Sequence, residues 1–405
     1  MTTALVFALV LLASVLISDL ADRSILSTAV LFLLAGFLVG EGMLGVVAIR
    51  PDSPTVSLLA ELALVSVLFT DGMKVGLRDL SRAWILPGRA LLFGLPLTLL
   101  GTALLGRFVV GLPWADAFLV GAILSPTDPV FAAAIVGREE VPARLRQLLN
   151  VESGLNDGLA LPIVLAMLAV VTRDHFSIIE VLGEVVLGVA IGIAIPWAAI
   201  RLEQTRFFSA HASYQPLNAF AIGLIVLAAS SLAHANAFLA AFAAGITVAT
   251  VGPEVRESFH RFGELVAELL KLAALLIFGA LISPAFLREI PPLGYLFAFL
   301  AIVAVRPVAL SLSLMGSSLP WRERAIAAWF GPKGFASVVF GLLILKQAEG
   351  AKIDPTRAEG LFRLVALCIF GSILAHSSTD VLAARWLAGK AGGRPPTPGP
   401  PAPVH

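Results

Sequence analysis

Residues 121–130 read Gly-Ala-Ile-Leu-Ser-Pro-Thr-Asp-Pro-Val and lie inside a longer apolar stretch. Pro126 and Pro129 flank Thr127 and Asp128. Each proline removes an amide donor and clashes with the preceding turn, so a helix through this stretch should break or unwind. Unwound backbone at the depth of a bilayer persists only where it is buried in protein or lines a polar cavity. If the stretch spans a membrane, it therefore predicts a buried polar site at Asp128.

The composition of the chain places that stretch in a membrane. Of the 405 residues, 58% are hydrophobic and only 14% are charged, and the mean hydropathy is +0.94. Soluble domains carry about 25% charged residues, so this chain lacks the polar surface to cover a soluble core. The formal net charge of +1 excludes an electrostatic case for nucleic-acid binding. The single cysteine, Cys368, excludes a disulfide framework and a cysteine-based metal site.

The apolar stretches predict an all-α polytopic membrane protein with about thirteen spans. A membrane-spanning helix needs about 20 apolar residues. The first stretch lacks a basic n-region and a clear cleavage site, so it is interpreted as a helix and not as a signal peptide. Numbered as spans 1 to 13, the stretches are 3–18, 24–41, 55–72, 85–105, 115–136, 147–171, 178–200, 216–233, 236–251, 264–283, 293–315, 324–345 and 360–386.

The distribution of basic residues predicts the orientation of the chain in the cell membrane. Sixteen lysine and arginine residues fall in the odd-numbered loops and the tail, and eight fall in the even-numbered loops. Cytoplasmic loops carry the excess, so we expect the N-terminus outside and the C-terminus in the cytoplasm. Residues 1–388 form the predicted transmembrane domain. Residues 389–405 are rich in proline and glycine and predict a disordered cytoplasmic tail.

Span 12 contains a second break, at Gly331-Pro332-Lys333-Gly334. The two breaks lie seven spans apart, and an odd offset implies repeats of opposite orientation. We therefore interpret spans 1–6 and 8–13 as inverted repeats joined by span 7. Ordinary proline kinks would explain one break. Two breaks in corresponding positions, each carrying a charge, favour the binding site of a transporter.

Span 6 carries a polar sequence, Asn150-Val-Glu-Ser-Gly-Leu-Asn-Asp-Gly158, within its apolar run. An acid at the centre of a membrane helix costs about 2.5 to 3.5 kcal/mol on insertion scales, so both acids need partners or a hydrated cavity. At 100° per residue, Ser153 and Asp157 share a helix face. Glu152 points about 140° away from Asp157. We therefore expect Asp157 to face a cavity and Glu152 to turn toward another helix.

Glu152 needs a cationic partner, and an always-charged guanidinium makes the better structural clamp. The candidates are Arg306 in span 11, Lys333 in span 12 and Lys271 in span 10. Lys271 also shares a helix face with Glu264 and Glu268, which predicts an ion pair along span 10. We expect Asp128 to lie beside Asp157 where span 5 unwinds. Carboxylates, a hydroxyl and a freed carbonyl there would form a site for a hard cation.

Taken together, these motifs resemble the monovalent cation:proton antiporter-1 family, the NhaP-like and NHE-like sodium/proton exchangers. The resemblance covers essentially the whole chain. The motifs that carry it are Thr127-Asp128-Pro129, Glu152-Ser153-Gly154-Leu155-Asn156-Asp157, Arg306-Pro307 and Gly331-Pro332-Lys333-Gly334.

The resemblance implies a core domain with the crossed, unwound spans 5 and 12, a dimerisation domain, and a homodimer that works by elevator-like alternating access. It implies that Na⁺ is held by Asp157, Asp128, Ser153 and the Thr127 carbonyl, while Asn156 hydrogen-bonds across the core. Glu152 resembles the structural acid of the family and Arg306 its partner, with Lys333 where the family often has arginine. The Asn156-Asp157 pair suggests electroneutral exchange.

The predicted activity is exchange of one monovalent cation, Na⁺ or Li⁺, for one proton. A carboxylate in a partly desolvated cavity, beside a second acid, can hold either ion, so competition at Asp157 suffices for coupling. This secondary transport needs no nucleotide, cofactor or enzymatic chemistry. K⁺/H⁺ exchange on the same scaffold is the first alternative. A cation channel would more plausibly show a filter loop or an acidic ring, and an intramembrane enzyme would need a nucleophile–base pair or a zinc ligand set.

Overall fold

The computed structural model describes residues 2–17, 28–47, 54–74, 85–128, 135, 141–172, 178–205, 211, 214–349 and 352–388. Pro129 and the predicted disordered tail, 389–405, lie outside these residues. Within them the chain is almost entirely helical. The thirteen predicted spans each overlap a helix, although the number of membrane crossings stays a prediction.

Fourteen helices carry the described part of the fold, and a single helical turn, Pro284–Arg288, precedes α11. They are α1 (Thr2–Leu16), α2 (Thr28–Val39), α3 (Pro54–Lys74), α4 (Ile85–Val110), α5 (Trp114–Ile123), α6 (Ala143–Thr172), α7 (Ile178–Glu203), α8 (Gln215–Leu232), α9 (Ala237–Val251), α10 (Pro253–Leu281), α11 (Pro292–Ser313), α12 (Trp321–Trp329), α13 (Phe335–Glu349) and α14 (Pro355–Ala388).

Six of the described helices are long and apolar enough to cross a membrane: α4, α6, α7, α8, α11 and α14. Five shorter apolar helices, α1, α2, α5, α9 and most of α13, accompany them. Many large apolar side chains on the outer faces are exposed, among them Leu92, Phe108 and Ile179. Lipid tails can solvate such faces, whereas water cannot. The chain is a multi-pass membrane protein.

Helices α2 and α10 pack backbone to backbone through glycine. A Cβ added at Gly36 would lie 2.0 Å from the carbonyl oxygen of Leu276, and one added at Gly279 would lie 2.1 Å from that of Leu33. Small residues allow this approach in membrane helices, where close packing replaces the hydrophobic effect. Helix α10 also packs along α3. This packing brings the polar middle of α10 toward the end of α3.

Both predicted breaks are present, and they touch. Helix α5 ends at Ile123, and residues 124–128 are not helical. The chain is likewise non-helical from residue 330 to residue 334, between α12 and α13. The amide of Asp128 donates to the carbonyl oxygen of Pro332 (2.9 Å), and the hydroxyl of Ser337 on α13 donates to the carbonyl oxygen of Ile123 (2.7 Å). Backbone groups that the two breaks release are thus satisfied by the other broken segment.

Candidate cation-binding site

Asp128 lies at the junction of the two breaks, against the first turn of α13. Its side-chain Oδ2 accepts a hydrogen bond from the amide of Phe335 (3.3 Å), the first residue of α13. The amino end of a helix carries a partial positive charge, which stabilises a carboxylate. Only glycine fits at position 334, because a Cβ there would lie 1.9 Å from the Cβ of Asp128. The sequence of the second break therefore determines where the acid of the first break sits.

Helix α6 presents a polar face to the first break. The side-chain amide of Asn156 donates to the hydroxyl of Thr127 (2.7 Å), and this hydroxyl lies 3.2 Å from that of Ser153. All three side chains are buried. The side-chain oxygen of Asn156 is buried and has no hydrogen-bond partner among the described residues. Such an unsatisfied acceptor is costly in an apolar interior unless a cation, a donor or water meets it.

Asp157 lies on the same helix and is also buried, with 6% of its surface exposed. The charged groups that act on it are Asp128, Asp71 and Lys271. The structure thus brings Asp157, Asp128, Ser153, Thr127 and Asn156 into one buried polar cluster. All five residues were predicted from sequence as members of the cation and proton site.

Glu152 turns away from this cluster and contacts Arg306 on α11. The two guanidinium nitrogens donate to the two carboxylate oxygens, with N–O distances of 2.9 and 3.2 Å. Both side chains are buried. One of these nitrogens also lies 3.4 Å from the carbonyl oxygen of Phe330, and the guanidinium passes against Gly331, where a Cβ would lie 1.4 Å from Nε. This pair therefore joins α6, α11 and the break between α12 and α13.

Lys333 does not join the Glu152 pair, although the sequence analysis grouped it with Glu152 and Arg306. Its side chain is buried, and its Nζ has no hydrogen-bond partner among the described residues. Both oxygens of Glu152 instead accept hydrogen bonds from Arg306. Instead the backbone of Lys333 is anchored, because its amide donates to the hydroxyl of Ser372 on α14 (2.9 Å).

Helix α14 also contacts the start of the second break, where the carbonyl oxygen of Trp329 already accepts a hydrogen bond from the amide of Gly331 (3.0 Å). The Nε2 of His376 lies 3.0 Å from the carbonyl oxygen of Trp329, the last residue of α12. The indole of Trp329 donates to the hydroxyl of Thr379 (2.9 Å). Polar side chains on α14 thus replace hydrogen bonds that an unbroken helix would make for itself.

Lys271 belongs to the acidic cluster, a role that its sequence context did not predict. Its Nζ lies 3.7 Å from Asp128 Oδ2 and 3.8 Å from Glu268. The sequence signals were an intramembrane lysine, considered as a partner for Glu152, and its spacing from Glu268. Sequence spacing finds the contact within one helix. The contact with Asp128 depends on how α10 packs against the breaks, which no local pattern reports.

The fold and this site define a class of secondary transporters with two crossed, broken helices. The chain belongs to the sodium/hydrogen exchanger family of transmembrane proteins, whose sequence model matches residues 7–383.

The proteins similar to this chain match most of its length. The sodium proton antiporter MjNhaP1 from Methanocaldococcus jannaschii has a similar structure, with a TM-score of 0.77 at 20% identity, over 96% of this chain and 100% of that one. The K(+)/H(+) antiporter NhaP2 of Shewanella baltica is 25% identical over 390 residues, 94% of this chain and 66% of its own length. The K(+)/H(+) antiporter NhaP of Alkalimonas amylolytica is 27% identical over 350 residues, 84% of this chain and 60% of its own length. The chain spans about two thirds of the length of these curated relatives.

Proposed function

We propose that the chain exchanges a monovalent cation for a proton across the cell membrane. The observation that carries this proposal is the meeting of Asp157 and Asp128 in a buried cluster with Thr127, Ser153 and Asn156. Two acids at this depth need a cation, a proton or a fixed counter-charge to be stable. A site that accepts either of two positive ions is the minimum that coupled exchange requires.

The donor set suits a hard monovalent cation such as Na⁺ or Li⁺. Asp157 and Asp128 supply carboxylate oxygens, Ser153 supplies a hydroxyl and Thr127 supplies its backbone carbonyl. Oxygen ligands of this kind bind alkali and alkaline-earth cations in preference to transition metals. Asn156 orients the Thr127 side chain through its amide donor.

Exchange follows from competition at Asp157. A proton on the carboxylate removes the charge that binds the cation, and a bound cation disfavours protonation. The site then opens to either side in turn, by rigid movement of a core domain within a homodimer. The N-terminus lies outside and the C-terminus in the cytoplasm. Asn156 does not titrate, so one proton moves for one cation and the exchange is electroneutral.

Potassium is the alternative cation on the same scaffold. Two of the relatives are named K(+)/H(+) antiporters, whereas the protein of similar structure is named a sodium proton antiporter. The donor atoms are the same for all three alkali cations, and selectivity depends on small differences in cavity size and ligand flexibility.

A dye assay in everted membrane vesicles tests the proposal. Vesicles acidified by respiration should lose their pH gradient when Na⁺ or Li⁺ is added, and the response to K⁺ at equal ionic strength decides the alternative. The matched control is Asp157→Asn, which keeps the shape of the side chain and removes its charge. This variant should insert into the membrane and unfold at the wild-type temperature, but its vesicles should keep their pH gradient when the cation is added. Cation-dependent proton movement in purified Asp157→Asn would overturn the site, and no response to any cation in the wild type would overturn the function.

A further inference from the structure

The buried acidic cluster also contains a fixed positive charge, the ammonium of Lys271, which has no part in the proposed exchange. The ammonium of Lys271 lies 3.7 Å from Asp128 Oδ2, and 9% of its side-chain surface is exposed. Lys74, another lysine near these acids, has 47% of its side chain exposed and pairs with Asp71 at 3.2 Å. An exposed ion pair is screened by solvent and has little effect. A buried ammonium acts with nearly its full field on neighbouring charges.

We infer that Lys271 is a tethered counter-ion of Asp128 that sets the net charge of the site, and thereby its affinity for the transported cation. The inference rests on the proposed function and concerns the same site. Lys271 reaches the site from α10, whereas Asp128 and Asp157 lie on the first break and on α6. The ammonium acts on both acids.

The charge balance gives this lysine a specific effect. Asp71 pairs with Lys74, and Glu268 is partly exposed to solvent. With Lys271 paired to Asp128, the charge of Asp157 therefore remains for a proton or a monovalent cation. Without Lys271, the carboxylates of Asp128 and Asp157 would both act on a bound cation and would hold it more tightly. Lys271 therefore weakens binding so that release stays possible, while Asp128 still offers its second oxygen as a ligand.

The test compares the apparent KM for the cation that the wild type transports with the thermal stability of each purified variant. Removing the ammonium in Lys271→Gln should lower KM about tenfold, because like charges in a low-dielectric cavity repel strongly. Lys271→Arg keeps the charge and should keep KM near the wild-type value. Lys74→Gln is the matched control, and its KM should change less than about fivefold because the residue is solvent-screened.

A double variant separates charge from structure. Asp128→Asn alone leaves Lys271 with only Glu268 as an ion-pair partner and an ammonium at the site that no acid of the first break balances, so KM should rise at least about tenfold. Asp128→Asn combined with Lys271→Gln removes one charge of each sign and keeps an amide oxygen at position 128. The double variant should return KM to within about fivefold of the wild type.

Two results would overturn the inference. One is Lys271→Gln with unchanged KM and only a lower melting temperature, which would make Lys271 a purely structural residue. The other is a double variant as weak as Asp128→Asn, which decides the matter even if Lys271→Gln alone fails to fold. Because every variant is compared with a wild type that transports, failure of this inference is distinct from failure of the proposed exchange.

Discussion

Arg306 holds Glu152 by both carboxylate oxygens, with the two charged groups buried between α6 and α11. The same guanidinium rests against Gly331 in the second break. Glu152 is therefore a structural residue beside the proposed transport site, five residues before Asp157, the acid that we propose exchanges ions.

Glu152→Ala should destabilise the protein by about 3 to 5 kcal/mol, because it leaves the buried guanidinium without its counter-charge. The loss should exceed that of Asp157→Asn, measured by thermal unfolding of the purified proteins. The double variant Glu152→Gln with Arg306→Gln should recover part of the lost stability. Equal stability of the single variants and the wild type would argue against a structural pair.

Lys333→Met should unfold at the same temperature as the wild type or at a higher one. The ammonium of Lys333 has no hydrogen-bond partner among the described residues, and burying an unpaired ion costs several kcal/mol. Arg306→Met, which breaks an observed pair, is the control and should unfold at a lower temperature. If Lys333→Met lost as much thermal stability as Glu152→Ala, Lys333 would share the Glu152 carboxylate with Arg306.

Gly334→Ala should destabilise the fold by about 1 to 3 kcal/mol, since its methyl group would overlap Asp128 and the neighbouring chain must shift. The rate of exchange should also fall, because the displaced chain moves the carboxylate of Asp128, a proposed cation ligand. Gly154→Ala is the matched control on α6. An added Cβ there meets nothing within 4 Å, so helix stability should rise by about 0.5 to 1 kcal/mol. A Gly334→Ala protein with wild-type stability and activity would contradict the packing at the break.

Electroneutral exchange predicts that a membrane potential does not drive turnover. Proteoliposomes with a potential set by valinomycin and K⁺ should exchange the transported cation, Na⁺ or Li⁺, at the same rate as proteoliposomes without one. Lys333 is the group whose proton release would break the one-for-one ratio, since an amine can lose a proton and a guanidinium does not. A rate that depends on the potential would refute the ratio. If Lys333→Met then abolished the dependence, Lys333 would be the second titrating group.

The sequence predicted which breaks and residues form this site better than it predicted the contacts between them. Prolines and glycines interrupt a helix wherever it packs, so both breaks followed from local chemistry. The 140° between Glu152 and Asp157 likewise depends on helix geometry alone, and it predicted that the two acids have different surroundings. The choice of Arg306 as partner followed from the chemistry of guanidinium, although three cations were available.

The role of Lys271 could not be predicted in the same way. Its position at Asp128 depends on the close packing of α10 against α2 and α3, which is set by contacts between residues far apart in the chain. Lys333 shows the converse case. Its charge and its place in the break suggested Glu152 as a partner, but Glu152 pairs with Arg306 and the Nζ of Lys333 has no hydrogen-bond partner among the described residues.

The dependence of the second break on α14 has a consequence for biosynthesis. The amide of Lys333 is satisfied by Ser372, 39 residues later. The carbonyl of Trp329 accepts from the nearby amide of Gly331 and gains His376, 47 residues later, as a second partner. A ribosome adds about 5 to 20 residues each second, so the interrupted segment must wait about 2 to 8 seconds for Ser372 to be synthesised. During that interval the amide of Lys333 needs another hydrogen-bond acceptor, supplied by water or by a polar group of the insertion machinery. The site can therefore mature only after translation has passed the last helix that contacts it.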